Sequence, residues 1–549
     1  MNPVLPNPFY YLENFHQVLS WIGERYDDLL NEEERVFLRA FPALPQASRA
    51  LFVRMVMRKG TLFRASKLAY AEIGDAHEAA LPLAELGLIE HDPALTLDEL
   101  FELLQKGEIS QAFQLGAQEK SLRKAEQLEA LRPRHGGAQR YSSWCRNFAD
   151  GADHAYRILA QPLCDRLRLI FFGNYHQDWT EFVLSDLGIY QYEKVAFSPE
   201  ARGFRNRHDI DDYLALHACR ERFINGDDPA AVIADLPPGA DDNEWLRSRR
   251  EKLVFNIAQH LEQQRDWAQA QTLYLACSYP GARARAIRVL EKDEQYGSAY
   301  TLLQIAQQQP ESEAERQQLS RMAPRLARKL GHPKPSATPP AQPQRIDLSL
   351  PPPTEDYYVE FVVRDHLHRD EAPVYYVENA LINSLFGLLC WDAVFSAIPG
   401  AFFHPFHRGP ADLHSADFPR RRAAQFAACF AQLETGQYRD TIRANFAAKF
   451  NLQSPFVYWE TLDAALLELA LDCIPPSHLQ RAFERILSDI KANRSGFPDL
   501  IQFWPAERRY NMIEVKGPGD RLQDNQLRWI DYCATHQMPV SVCYLQWSE

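Results

Sequence analysis

Gly496-Phe497-Pro498-Asp499, the run Leu500-Ile501-Gln502-Phe503-Trp504, the turn formers Pro505-Ala506-Glu507-Arg508-Arg509 and the segment Ile513-Glu514-Val515-Lys516-Gly517 decide the fold of this chain. Two apolar runs bounded by turn residues read as a β-hairpin. Side chains alternate faces along a strand. Glu514 and Lys516 therefore share one face, while Ile513 and Val515 point into a core. The hairpin brings Asp499 beside Glu514. Two carboxylates in one site raise each other's pKa unless a divalent cation neutralises them. Hard oxygen donors of this kind suit Mg2+ or Mn2+. An Asp followed about fifteen residues later by Glu-x-Lys is the acidic-plus-lysine arrangement of metal-dependent nucleases.

Working outward, Asp524 to His536 reads as a helix and Val540 to Leu545 as a strand. Upstream, Glu378 leads the segment Val377-Glu378-Asn379-Ala380-Leu381-Ile382-Asn383, which runs into the apolar Phe386-Gly387-Leu388-Leu389-Cys390-Trp391. A lone charge at the head of an apolar helix needs a reason to face inward, and metal ligation supplies one. An acidic helix, two strands, a helix and a strand is the core order of the restriction-endonuclease-like fold. Tyr357 to Val363 is strand-like by composition.

At 549 residues the chain is too long for one core, and two to four domains are expected. The 46% hydrophobic and 24% charged residues are those of a globular protein. No apolar run approaches the ~20 residues that span a bilayer, and Met-Asn-Pro-Val-Leu-Pro lacks the marks of a secretory signal. The nine cysteines contain no Cys-x-x-Cys pair, which speaks for free thiols in a reducing cytoplasm and against a zinc ribbon. The expected localisation is cytoplasmic, nucleoid-associated if the source is bacterial. A net charge of −13 disfavours nonspecific nucleic-acid affinity, so a nuclease with this balance must segregate its positive charge into a patch.

The fold class expected is multidomain α + α/β. Residues 1–150 read as a helical N-terminal DNA-binding domain, with Asn31 as an N-cap and a basic cluster from Lys120 and Lys124 to Arg140. Residues 151–331 read as a helical-repeat region, with small residues in Trp267–Tyr274 and Gly297–Leu303 where helices press together. Residues 332–356 carry eight prolines and read as a linker. Residues 357–549 form the α/β nuclease domain.

Gly496-Phe497-Pro498-Asp499, Glu514-Val515-Lys516-Gly517-Pro518, Asp520-Arg521-Leu522 and Gln526-Leu527-Arg528-Trp529 resemble the virus-type replication–repair nuclease domain of the PD-(D/E)xK superfamily, and more closely the bacterial Fanconi-associated nuclease family. Phe386 to Asp392, Phe418-Pro419-Arg420-Arg421-Arg422, and Leu51-Phe52-Val53-Arg54 with Arg58-Lys59 and Lys67-Leu68 extend the likeness upstream. The resemblance implies a structure-specific DNA endonuclease that cuts 5′ flaps, has 5′-to-3′ exonuclease activity, leaves 5′-phosphates in the manner of phosphodiesterase I, and serves interstrand cross-link repair. It implies Glu378, Asp499, Glu514, Lys516 and Gln526 as the catalytic set. Glu378, Asp499, Glu514 and the Val515 carbonyl would hold one or two Mg2+ or Mn2+ ions. Arg283, with Arg285 and Arg288, is implied for a 5′-phosphate pocket on the repeats, and Lys120, Lys124 and Arg140 for DNA contact. The ubiquitin-binding zinc finger of eukaryotic members has no counterpart, since no Cys/His metal set is visible, and Gly519 replaces the eukaryotic asparagine.

Other readings stand beside this one. The same chemistry serves a Holliday junction resolvase or a restriction-type endonuclease. A helical-repeat scaffold with an inert nuclease module is a reading of another class. Arg420 to Arg422 are open to phosphate contact or internal pairing. His404, His407 and His414 fit no common ligand spacing and are expected to be structural.

Overall fold

The computed structural model describes residues 7–148, 153–197, 201–238, 243–334, 343–353, 357–415 and 417–548. The chain divides into two compact units, Met1–Tyr190 with Arg202–Arg207, and Gln191–Ala201 with His208–Glu549.

The first unit is mainly helical. Helices α1 (Tyr10–Arg25), α2 (Glu32–Ala40) and α3 (Gln46–Val56) are followed by β1 (Leu62–Arg64), α4 (Ala76–Glu85), β2 (Ile89–His91), β3 (Ala155–Ile158) and α5 (Gln161–Phe172). Asn31 caps α2 as expected, in a reciprocal capping box with Glu34. β3 runs antiparallel to both β1 and β2 and is the central strand of this small sheet. Between β2 and β3 lies a cluster of short helices with its own core, Leu97, Leu100, Phe101, Ile109 and Trp144 among its members.

The second unit contains, after the helices Arg207–Ile224 and Pro229–Ala234, the helices α6 (Glu244–Gln263), α7 (Trp267–Ala276), α8 (Ala282–Lys292), α9 (Tyr296–Gln308) and α10 (Glu313–Lys329), each of these five packed on the next. The small residues expected at repeat contacts are there: Ala270 and Ala299 are fully buried, as is Ala286. The nuclease part follows with β4 (Gln344–Leu350), α11 (Val359–Leu367), β5 (Val374–Tyr376), α12 (Leu381–Leu389), β6 (Leu500–Trp504), β7 (Arg509–Lys516), α13 (Asp524–Thr535) and β8 (Val540–Trp547). The five strands lie in the order β4-β8-β7-β6-β5. β8 is parallel to β4 and β7, whereas β6 is antiparallel to β7 and β5.

Both faces of the sheet are covered. Ile513, Val515, Leu500, Cys543 and Leu545 pack with Val363 of α11 on one face. Ile501, Phe503, Met512 and Val542 pack with Trp529, Ile530 and Cys533 of α13, and with α12, on the other. Such a two-sided sheet needs apolar residues at successive positions, which is what β6 and β8 supply.

Two segments depart from the expectation. Tyr357–Val363 is the start of helix α11 and not a strand. Val359, Val362, Val363 and Leu367 recur at helical spacing and seat on the sheet, and this packing outweighs the β propensity of Val and Tyr. Within the stretch read as a linker, Gln344–Leu350 is the edge strand β4, with Ile346, Leu348 and Leu350 facing the core. Its flanking prolines, 343 and 351 to 353, bound the strand. The remaining prolines of that stretch, apart from Pro333, lie outside the described residues.

Candidate active site

The register of the β6–β7 hairpin places the carboxylates. Leu500 pairs with Ile513, so the next pair outward is Asp499 and Glu514. Asp499 Oδ2 accepts the Val515 N–H at 2.8 Å. Glu514 Oε1 accepts a hydrogen bond from Lys516 Nζ at 2.6 Å, as expected of residues two apart on one strand face. Glu514 is fully buried, and Asp499 and Lys516 are each 7% exposed.

Glu378 reaches the same place by a different route. It is not in a helix, since α12 begins at Leu381. It sits in the turn between β5 and α12, held by its neighbours. The Val377 N–H donates to the Asp499 carbonyl at 2.8 Å. Asn379, with a φ of +54°, accepts the N–H groups of Gly496 and Phe497 on its side-chain oxygen at 2.8 and 3.2 Å. The turn is thus pinned to the Gly496–Asp499 segment on both sides of Glu378. Gly496 is irreplaceable in this clamp. Its φ is +93°, and a Cβ there would come within 2.7 Å of the Asn525 backbone at the start of α13. The Glu378 carboxylate accepts from the Tyr376 hydroxyl and from Asn379 Nδ2.

The electrostatics are those of a crowded acidic pocket. Burial pushes Asp499 up to about 6, with further repulsion from Glu360 and Glu378, against the pull of the Val515 N–H and Lys516. Burial and the Asp499 charge push Glu514 up to about 8, again against Lys516. Among the described residues, Glu514 Oε2 is buried with no hydrogen-bond partner. An orphaned carboxylate oxygen costs on the order of 1–3 kcal/mol. All donors here are hard oxygens, and the pair cannot ionise fully at neutral pH on its own. These observations fit a divalent cation. When bound, such a cation would supply Lewis-acid polarisation of a phosphate and a lowered pKa for a bound water. Asp499 and Glu514 would hold it, with Glu378 beside them. The Lys516 ammonium stands next to Glu514, where it would orient a water and offset charge growing on phosphate oxygens.

Glu360, on the first turn of α11, was not read from the sequence. Its charge acts on both Asp499 and Tyr376. The signal that could have found it was the 359, 362, 363, 367 spacing, which turns Glu360 toward the sheet's carboxylate end. Glu360→Gln removes one repulsive charge from Asp499. The acidic limb of the pH–rate profile should shift to lower pH, with the plateau rate changed by less than about tenfold. A profile that overlays the wild type would take Glu360 out of the site.

Other candidate residues lie elsewhere or are committed to structure. Gln526 is the third residue of α13, and its side-chain oxygen accepts the Gln523 N–H at 2.8 Å as a helix cap. Arg283 is bound to the buried Glu315 at 2.6 Å, and Arg285 and Arg288 both reach the buried Glu262, at 3.2 and 3.1 Å. Arg422 is fully buried against Asp412, Arg421 shares that aspartate, and Arg420 pairs with Asp417, so the triplet serves internal pairing. His404 is buried and His407 half-buried, the two rings stacked on one another with 3.9 Å between centroids. Lys120, Lys124 and Arg140 are exposed in the first unit, Arg140 lying 3.8 Å from Asp92.

A cleft of about 600 Å³ opens between α8, α9 and α10, lined by Arg288, Lys292, Arg321, Arg325 and Lys329 with Glu291, Glu294 and Tyr296; Arg325 is bridged to Glu291 at 2.8 Å. Arg321 is bridged at 2.6 Å to Asp524, the first residue of α13. Of the three arginines read from the sequence, Arg288 lines this cleft, while Arg283 and Arg285 are ion-paired to the buried Glu315 and Glu262.

Among the described residues, no helix is long and apolar enough to cross a membrane. Comparison with known proteins gives the family. The family described as FAN1, HTH domain matches residues 9–90, the Fanconi anemia-associated nuclease SAP domain matches 94–144, and the VRR-NUC domain matches 433–547. The Fanconi-associated nuclease 1 homolog of Pseudomonas aeruginosa is 57% identical over 546 residues, covering 100% of this chain and 97% of that protein. The homolog of Arabidopsis thaliana is 24% identical across 98% of this chain and 67% of its own length. Two crystal structures of paFAN1, bound to gapped DNA with a 2-nucleotide or a 1-nucleotide 5′ flap, superpose with TM-scores of 0.95 and 0.92 at 57% identity. They cover 100% and 99% of this chain, and 100% of their own chains. With 57% identity along its whole length to the Pseudomonas aeruginosa homolog, the chain belongs to the Fanconi-associated nuclease family, whose nuclease domain is metal-dependent.

Proposed function

We propose that this protein is a structure-specific DNA endonuclease that hydrolyses phosphodiester bonds at 5′ flaps, with Mg2+ or Mn2+ held by Glu378, Asp499, Glu514 and the Val515 carbonyl. The observation that carries the reading is the buried pair Asp499 and Glu514, with Lys516 bound to the second and one carboxylate oxygen left without a partner. Products would carry 5′-phosphates, as phosphodiesterase I chemistry requires, and the exonuclease action and the role in cross-link repair follow the family. The all-thiol state of the nine cysteines supports a cytoplasmic place of action. The 5′-phosphate would be read on the repeats by Arg283, Arg285 and Arg288, with Arg288 at the cleft that also holds Arg321, Arg325 and Lys329. Lys120, Lys124 and Arg140 remain the proposed duplex contacts of the N-terminal unit. An intact acidic site argues against the inert scaffold.

The test is cleavage of labelled 5′-flap, 3′-flap, four-way junction and plain duplex DNA, with the 5′ flap made both with and without its terminal phosphate. The 5′-phosphorylated flap should be cut fastest. Equal cutting of all four shapes would overturn the structural specificity, and preference for the junction would favour a resolvase. Loss of the terminal phosphate should slow cutting of wild type more than of Arg321→Ala/Lys329→Ala protein. Equal slowing would remove the cleft from the substrate path.

A further inference from the structure

We propose that His77, His91 and His154 form a second metal site, for a divalent transition ion of the zinc class, built from none of the carboxylate residues. The three imidazoles come from three elements: the first turn of α4, the end of β2 and the residue before β3. One ring nitrogen from each lies within 4.8 Å of the other two. His91 Nε2 and His154 Nδ1 are 3.1 Å apart. Zinc–nitrogen bonds of about 2.0–2.1 Å in a tetrahedral site set donor nitrogens roughly 3.3 Å apart, near the 3.1 Å at which these two rings share a hydrogen bond that the ion would replace.

His77 has the outer support that metal-bound imidazoles use. Its Nδ1 is 2.9 Å from the Tyr156 hydroxyl. The phenol oxygen can accept a hydrogen bond from the Nδ1–H of a neutral imidazole. That leaves the Nε2 lone pair of His77 for the ion. The rings of His77 and His154 stack at 3.6 Å with 9° between their planes. An ion lies in the plane of each ring that binds it, so one ring must turn about its Cβ–Cγ bond. His154 is exposed and has room to do so. Soft-to-borderline imidazole donors select zinc, nickel or copper over Mg2+. Simple packing explains the cluster less well, since two of the three rings are exposed and bury little surface.

The position gives the site a purpose. His91 and His154 are 63 residues apart and flank the segment matched to the SAP domain. β2 and β3 already pair there, His91 opposite Tyr156. His77 belongs to the segment matched to the HTH domain. An ion at this point ties the base of the SAP segment to the HTH segment and closes a long loop, which restricts the unfolded chain.

The experiment uses the full chain, free of any histidine tag, stripped with chelator and held in excess Mg2+ so that the hard-ion centre is filled. Titration with Co2+ and then Zn2+ follows the cobalt visible spectrum and the thermal midpoint. One equivalent should bind, with micromolar or tighter affinity, giving the intense absorption of low-coordinate cobalt and a raised midpoint. His91→Gln and His154→Gln are surface changes whose folding is checked by circular dichroism. Each should weaken zinc binding by about tenfold or more, and Asp499→Ala should leave it unchanged. Failure to bind in the presence of Mg2+, unaltered binding in both histidine variants, or loss of binding in Asp499→Ala would each overturn the proposal.

Discussion

Asp499→Ala is expected to slow single-turnover cleavage by about 10⁴-fold while DNA affinity changes by less than about threefold. Asp499 touches everything that matters in the site. Its side chain is fixed by the Val515 N–H, its backbone by Val377, and its charge acts on Glu514. Removing it takes away a cation ligand and leaves Glu514 with only Lys516. DNA affinity survives because phosphate contacts are made by basic side chains elsewhere. Gel shift in Ca2+ and quench-flow cleavage in Mn2+ separate the two quantities. A variant that retains more than about a tenth of the wild-type rate would mean that the cation is held by other groups.

The second large effect has opposite signs in activity and stability. Glu514→Gln should lower cleavage by about 10³-fold or more, yet stabilise the metal-free protein at pH 8 by about 1–3 kcal/mol. The carboxyl of Glu514 is held up to about 8 in the fold, above its ordinary value of 4.5, because burial and Asp499 oppose its charge. Between those two values the native state binds a proton that the unfolded chain has released. Stability of the chelated protein therefore falls as pH rises from about 4.5 towards 8. Asp499, raised to about 6, adds to the lower part of that fall. Gln carries no charge, so the slope flattens. Added Mn2+ should restore the wild type and do little for the variant. Thermal melts from pH 5 to 8.5, with chelator and with Mn2+, read both. A chelated Glu514→Gln protein that melts below wild type at pH 8 would contradict the strained pair.

How legible this was in the sequence depended on whether the signal was local. The hairpin was legible because strand alternation and a turn at Pro505 fix which residues meet, and Asp499, Glu514 and Lys516 followed from that. Glu378 is legible as a candidate, but as the head of a helix, whereas it sits in a turn before α12. The turn that holds it depends on Asn379 reaching residues more than a hundred positions away. Helix α11 was misread because Tyr and Val dominate 357–363, although the spacing of Val359, Val362, Val363 and Leu367 is helical. Strand β4 was hidden by its flanking prolines, although Ile346, Leu348 and Leu350 alternate with Arg345, Asp347 and Ser349. The arginines were the least legible. Whether Arg283 meets a phosphate or Glu315 depends on a glutamate 32 residues away on another helix. The three histidines of the first unit were invisible for the same reason.

The claim beneath the whole account is that Glu378, Asp499, Glu514 and the Val515 carbonyl converge on one divalent cation. Anomalous diffraction from crystals grown with Mn2+ and a 5′-flap duplex tests it directly. The account predicts a strong manganese peak bonded to the oxygens of Asp499 and Glu514, with Glu378 and the Val515 carbonyl in the same shell or bound to a second ion beside it. A peak bound by none of these oxygens, with flap DNA seated for cutting, would contradict it.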